Sequence, residues 1–305
     1  MIASSDITSE KRKIKWLDIC DMTAEDADIL VNTYHMKKDL ILYAANENER
    51  PHYDLRDPYT IIVYDVPYPS PDNPNHFITG PITLVFSSRM IFTFHDAHVQ
   101  DAIDDLARKP EVMHADSTIT FLLNAIFYLT ASFAPVLNRL STLRNQLDKN
   151  RGLNSTISNN EILLLSDIEK SLVYLNSSTA TNLLTLEELK DTPISEKADE
   201  DDQLIYHRTM LEAQQMDRIA SISEAVSERI TATSNNLLNN NLNDTMKFLT
   251  VWSLVLTIPT IATGFYGMNV FLPIASHHLA WVYITIGTIV AMVVLWWYLH
   301  KKHLI

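Results

Sequence analysis

The sequence predicts an α+β domain, expected to be cytosolic, followed by long stalk helices and two C-terminal transmembrane helices. Three observations carry this. Residues 248–300 hold no Asp, Glu, Lys or Arg, although 20% of the 305 residues are charged. Residues 194–258 hold neither Gly nor Pro. Residues 1–110 hold eight of the 12 prolines, which opposes long helices there. The division that follows is 1–110 for the α/β domain, 111–247 for the stalk and 248–305 for the membrane part.

Within 1–110, segments 13–20, 60–66, 82–86 and 90–94 read as strands, and 24–35 and 97–109 as helices. Ser87, Ser88 and Arg89 make a tight hairpin link, and the proline-rich segment 67–75 reads as a loop. Two long helices are expected over 115–150 and 158–190. They are broken where Asn150, Gly152, Asn154 and Ser155 cluster. The stretch 194–258 can run as one helix about 100 Å long at 1.5 Å per residue. Ile219, Ile222, Val226 and Ile230 give it a packing seam. Glu196, Asp199, Glu200, Asp201 and Asp202 complement the dipole at its start, with Ser195 as candidate cap.

A bilayer core of about 30 Å needs about 20 apolar helical residues. Two such lengths fit the charge-free run, 248–266 and 279–299, joined by a loop over 267–278. At this length a buried hairpin of a water-soluble core is disfavoured. Trp252, Trp296, Trp297 and Tyr298 mark one membrane face, and Tyr266 and Trp281 the other. Lys247, Lys301 and Lys302 flank the spans while the loop has no Lys or Arg. Positive-inside bias therefore puts both termini in the cytoplasm, in a multi-pass protein of the cell (inner) membrane. Ser253, Thr257, Thr260, Gly264 and Gly267 form one narrow face of the first span. Such a stripe is either a helix-packing seam or the wall of a water-filled path. Two helices cannot enclose a pore, so the second reading requires a ring of identical chains.

Several functions are excluded. Lys+Arg 24 against Asp+Glu 37 gives a net charge of −13, so nucleic acid is not an expected partner. Five glycines and no phosphate-cradling motif argue against nucleotide binding. The single cysteine, Cys20, permits no internal disulfide or multi-cysteine metal site and reads as a core residue. No nucleophile–base constellation points to an enzyme, and no cofactor is expected. Residues 1–16 carry neither a signal-peptide apolar stretch nor the acid-poor composition of a transit peptide.

The loop opens Tyr266-Gly267-Met268-Asn269. This tetrapeptide, capping the first of two C-terminal spans after a long unbroken helix, resembles the signature of the CorA-type magnesium transporter family. Asn243-Asp244-Thr245-Met246-Lys247-Phe248-Leu249-Thr250 and Glu49-Arg50-Pro51 are similar to further family patterns. The resemblance covers essentially the whole chain. It implies a funnel-shaped homopentamer in the lipid bilayer, conducting hydrated divalent cations passively: chiefly Mg²⁺, possibly also Co²⁺ or Ni²⁺. It implies a selectivity filter at Gly267, Met268 and Asn269, with Asn269 facing the hydrated ion. Gly267 is expected to allow a tight backbone turn. The pore lining is then Asn243, Met246, Leu249, Ser253, Thr257, Thr260 and Gly264, with Met246 and Leu249 as an apolar constriction. Asn236, Asn239 and Asn243 share a face that could line the vestibule.

There are departures. The loop after Asn269 holds no acid, and His277 and His278 there are a possible Zn²⁺ site. Where some members carry a deep-pore Met, this chain has Thr257. Leu42, Tyr43, Ala44 and Arg208 occupy places where some members carry Mg²⁺-sensing acids. These departures keep a zinc transporter of the same superfamily, possibly proton-coupled, as an alternative. A non-conducting membrane-anchored scaffold or sensor is a third.

Overall fold

The structure is a computed structural model that describes residues 2–8, 13–153, 159–268 and 278–302. In chain order the elements are β1 (Ile2–Thr8), β2 (Lys13–Cys20), α1 (Ala24–Tyr34), α2 (Lys38–Ala44), β3 (His52–Arg56), β4 (Tyr59–Ser70), β5 (Asn73–Phe86), β6 (Met90–His95), a 3-10 turn (Ala97–Val99), α3 (Gln100–Ala107), α4 (Pro110–Met113), α5 (Thr118–Ala131), α6 (Phe133–Leu153), α7 (Asn159–Leu189), α8 (Pro193–Lys197), α9 (Glu200–Tyr266) and α10 (Ala280–Lys301). The chain divides into two compact units, Met1–Thr231 and Ala232–Ile305.

The first unit is built on a six-stranded sheet of order β1-β2-β6-β5-β4-β3, in which β2 and β6 run parallel and every other pair antiparallel. Side chains alternate across a strand, so consecutive apolar residues supply opposite faces. Ile62, Tyr64 and Leu84 pack on the face shared with α3 and α5, while Ile61, Val63 and Val85 pack on the face covered by α1 and α2. Burial on both sides is why these strands read as unbroken apolar runs. A third cluster joins α6, α7 and α9 around Leu140, Leu172 and Met216, with Phe77 of β5 set into it.

The loop expected at 67–75 is instead the end of a long β-hairpin, with β4 running to Ser70 and β5 resuming at Asn73. Register explains how prolines enter it. Asp65 pairs with Pro81, Pro67 with Thr79 and Pro69 with Phe77. At this parity the N–H points out of the ladder, as the Asp65 amide donating to Asn182 Oδ1 at 3.0 Å and the Phe77 amide donating to Ser171 Oγ at 2.9 Å both show. A residue lacking that N–H therefore costs the ladder nothing. The elements β1, β3 and α2, for which no expectation was set, complete the sheet and its cover.

The helices also differ from expectation. The stretch expected as one helix over 115–150 breaks at Ser132, which lets Pro135 fall in the first turn of α6, where its missing N–H is harmless. The stretch 194–258 is interrupted by an extended Ala198. The α9 cap is accordingly Asp199, whose Oδ1 accepts the Asp202 amide at 2.8 Å, rather than Ser195. Asp202 is itself buried and accepts from Thr120 Oγ1 at 2.8 Å. The buried seam of α9 is Thr209, Ala213, Met216, Ala220, Ser223 and Ser227; of the expected row, Ile219 and Ile230 pack partly buried against the same cluster, while Val226 is exposed and Ile222 is 57% exposed. Small residues let the neighbouring helices approach closely.

The run Thr118–Lys149, like α9 and α10, is long and apolar enough to cross a membrane. Yet 44% of its apolar window is buried in the protein, against 6% for each of the other two. It is core, and the membrane part lies in the C-terminal unit.

Candidate functional site

The second unit contains the end of α9 and α10. On α9 the less exposed positions are Val251, Val255, Ile258, Ala262 and Tyr266, and on α10 they are Ile284, Thr288, Met292, Leu295 and Leu299. Residues of the two sets line common grooves between the helices: Val251 with Leu299, Val255 with Met292, and Ala262 with Thr288. This is the face of α9 turned to α10.

Of the predicted pore residues, Asn243 and Met246 line the groove that holds Val251 and Leu299, and those from Leu249 onward lie elsewhere. Asn243, Met246, Leu249, Ser253, Thr257, Thr260, Gly264 and Gly267 step by three or four, and all are exposed. At about 100° per residue their row lies about 180° around α9 from the α10-facing row. The small and polar stripe is therefore not the seam between the two helices of one chain. Its hydroxyls are held close to the helix: Thr257 Oγ1 donates to the Ser253 carbonyl at 2.7 Å and Thr260 Oγ1 to the Leu256 carbonyl at 2.9 Å. With the proton committed to the backbone, each oxygen presents lone pairs outward.

Gly267 closes the helix, its amide donating to the Thr263 carbonyl at 2.9 Å. The Met268 amide donates to the Phe265 carbonyl at 3.3 Å, so Gly267 sits in a tight turn, which it makes without positive φ. It provides clearance, because a Cβ there meets the Thr263 oxygen at 3.1 Å. A Cβ on Gly264 meets nothing within 4 Å. Met268 and His278 are exposed, while Asn269 and His277 lie outside the described residues. Next to the membrane run, Lys247 pairs with Asp244 at 3.1 Å, both exposed. Among the described residues no cluster of three His, Cys, Asp or Glu is placed to hold a metal. Arg208, at the expected sensor place, lays its guanidinium 4.1 Å from the Phe127 ring centroid.

A profile of the family described as "CorA-like Mg2+ transporter protein" matches residues 11–301. The chain belongs to the CorA-like Mg²⁺ transporter family. Among its relatives is the cobalt/magnesium transport protein CorA of Methanocaldococcus jannaschii, 24% identical over 281 residues that cover 89% of this chain and 85% of the relative. The complete structure of the CorA magnesium transporter from the same organism superposes with a TM-score of 0.81 at 20% identity, covering 100% of this chain and 98% of that one. The cytoplasmic domain of ZntB from Vibrio parahaemolyticus shares the fold at a TM-score of 0.59 and 10% identity, over 77% of this chain and 98% of that domain. As a CorA-family protein, the chain is a membrane transporter of divalent cations with its apolar helices at the C-terminal end.

Sequence reasoning missed the polar row along α7. Asp167, Ser171, Ser178 and Asn182 all bond to β4 or β5. Their four-residue spacing, with one seven-residue step, was the available signal.

Proposed function

We propose that this CorA-family chain is a passive channel for hydrated divalent cations, chiefly Mg²⁺ with Co²⁺ or Ni²⁺ as secondary ions, assembled as a homopentamer around the stripe of α9. The observation that carries the reading is that this stripe, from Leu249 to Gly267, is exposed and points away from α10. Copies of one stripe around a symmetry axis line a path that no single chain can enclose. Ser253, Thr257 and Thr260 offer neutral oxygens to the water shell of the ion. Mg²⁺ sheds that shell reluctantly, so amide and hydroxyl groups suit it better than a cage of carboxylates. Gly267, Met268 and Asn269 form the entrance filter, with Asn269 hydrogen-bonding to the hydrated ion. Met246 and Leu249, 64% and 59% exposed in the single chain, form an apolar constriction below it.

Both termini lie in the cytoplasm in this reading, because Lys247, Lys301 and Lys302 flank the spans on one side. An inside-negative potential then drives a divalent ion inward with about 4.6 kcal/mol per 100 mV. The loop histidines His277 and His278 and the acid-free loop favour a second reading, a zinc transporter, with proton coupling as its testable form. A scaffold that conducts nothing has no use for the stripe.

Uptake into proteoliposomes tests the proposal, with Mg²⁺ against Zn²⁺ at fixed potential and with a pH gradient on or off. Potential-driven Mg²⁺ entry that ignores the pH gradient is expected, and Asn269→Ala should abolish it while leaving assembly intact. Zn²⁺ entry that follows the proton gradient moves the chain to the second reading. Undiminished Mg²⁺ uptake by Asn269→Ala removes the filter assignment.

A further inference from the structure

Asp65 stands in the middle of β4, half-buried, where α7 crosses the β4–β5 hairpin. Its Oδ2 accepts from Ser178 Oγ at 2.7 Å, and Ser178 Oγ lies 2.8 Å from Thr79 Oγ1 of β5. Asn182, one turn further along α7, clamps the Asp65 backbone at both ends: its Nδ2 donates to the carbonyl at 2.9 Å and its Oδ1 accepts the amide at 3.0 Å. Ser178 thus bonds the carboxyl itself, while Thr79 braces Ser178 and Asn182 fixes the backbone that carries it.

The surroundings are neutral. Ser178 and Asn182 come from α7 and Thr79 from β5, while the adjacent Tyr64 turns its hydroxyl to Thr130 of α5. Of the charged and titratable groups on β5, α6 and α7, Asp167 bonds Asn73, Glu169 bonds Thr231, Arg139 reaches Asn75 and the Phe77 ring, His76 lies beside Tyr174, and Lys170 is exposed. Among the described residues no cation offsets an ionised Asp65, and burial pushes its carboxyl up to about 6 against the pull of the Ser178 hydroxyl.

We infer that Asp65 is a pH-sensitive latch between α7 and the β4–β5 hairpin, closed more firmly when its carboxyl carries a proton. The hydrogen-bond chemistry supports both states. Ionised, the carboxylate only accepts, so the chain of hydroxyls must run Thr79 to Ser178 to Asp65. Protonated, Asp65 gains a donor and the buried charge disappears. The sign follows from linkage. The closed-state pKa lies above that of an exposed aspartate, so acid favours closure. The gain builds as pH falls from about 6 towards 4 and is absent above about 7.

Hydrogen exchange on the full-length protein tests the latch. The peptides to follow contain the Asp65 and Phe77 amides, which donate to α7 side chains. After correction for intrinsic exchange, their protection should rise about tenfold between pH 7 and pH 5. In Asp65→Asn, always neutral, that pH dependence should vanish. Ser178→Ala, which deletes the donor to the ionised form, should move the midpoint to higher pH. It keeps the test open if Asp65→Asn does not fold. Protection that is flat with pH in the wild type overturns the latch, as does dependence that persists in Asp65→Asn or an unmoved midpoint in Ser178→Ala.

Discussion

A buried histidine that keeps its proton needs a carboxylate beside it, and Asp18 supplies one to His95. The His95 Nε2 to Asp18 Oδ1 distance is 3.0 Å, and the same oxygen accepts from Thr93 Oγ1, which in turn accepts from Trp16 Nε1 at 3.1 Å. Burial alone drives the proton off His95, but the hydrogen bond and charge of Asp18, helped by Asp96, outweigh it and raise the pKa. A raised histidine pKa contributes stability that is fully present below the unfolded value of about 6.5 and is lost as pH rises through the folded value. Asp18→Asn should therefore destabilise by about 1–3 kcal/mol at pH 5.5 and by less at pH 8.5, read from unfolding midpoints at the two pH values. Such pairs were invisible in the sequence. Asp65 and its partners Ser178 and Asn182 are separated by 113 and 117 residues, and only the folded chain brings them together. Tyr266 to Asn269 could be read directly, because four contiguous residues need no folding to be adjacent.

Elements were legible where their pattern was local. The strand at 13–20, the tight link at Ser87–Arg89 and both membrane spans follow from alternation, turn chemistry and length. The hairpin end at 67–75 was hidden because proline signals a loop unless its register is known, and register is a property of two strands. The seam of α9 was hidden for another reason. A row of Ile and Val is the stronger apolar signal, but close packing against α6 and α7 selects Ala and Ser. Two substitutions separate the rows. Ala220→Leu should overpack the seam and cost about 1–3 kcal/mol. Ile222→Ser, on the exposed row, should stay within about 0.5 kcal/mol in the same unfolding assay. The reverse ranking contradicts the seam.

For the whole molecule, the arrangement of charge separates what meets water from what meets lipid, and one helix, α9, belongs to both. Its C-terminal part carries two opposed faces, one turned to α10 and one exposed, and the proposed channel assigns the exposed one to the ion path. Thr257→Leu alters only the exposed face, so it should cut divalent uptake at least about tenfold while leaving the unfolding midpoint of the protein unchanged. Equal loss of uptake and stability would instead make the stripe a structural contact. The third helix that is apolar enough for a bilayer, Thr118–Lys149, lies upstream of both spans. Ribosomes therefore deliver it first, before either true span exists. Whether it stays out of the membrane is decided by how quickly the sheet claims Phe121, Leu122 and Ile126. Packing of the sheet against this stretch is thus expected to set how many times the chain is threaded through the membrane.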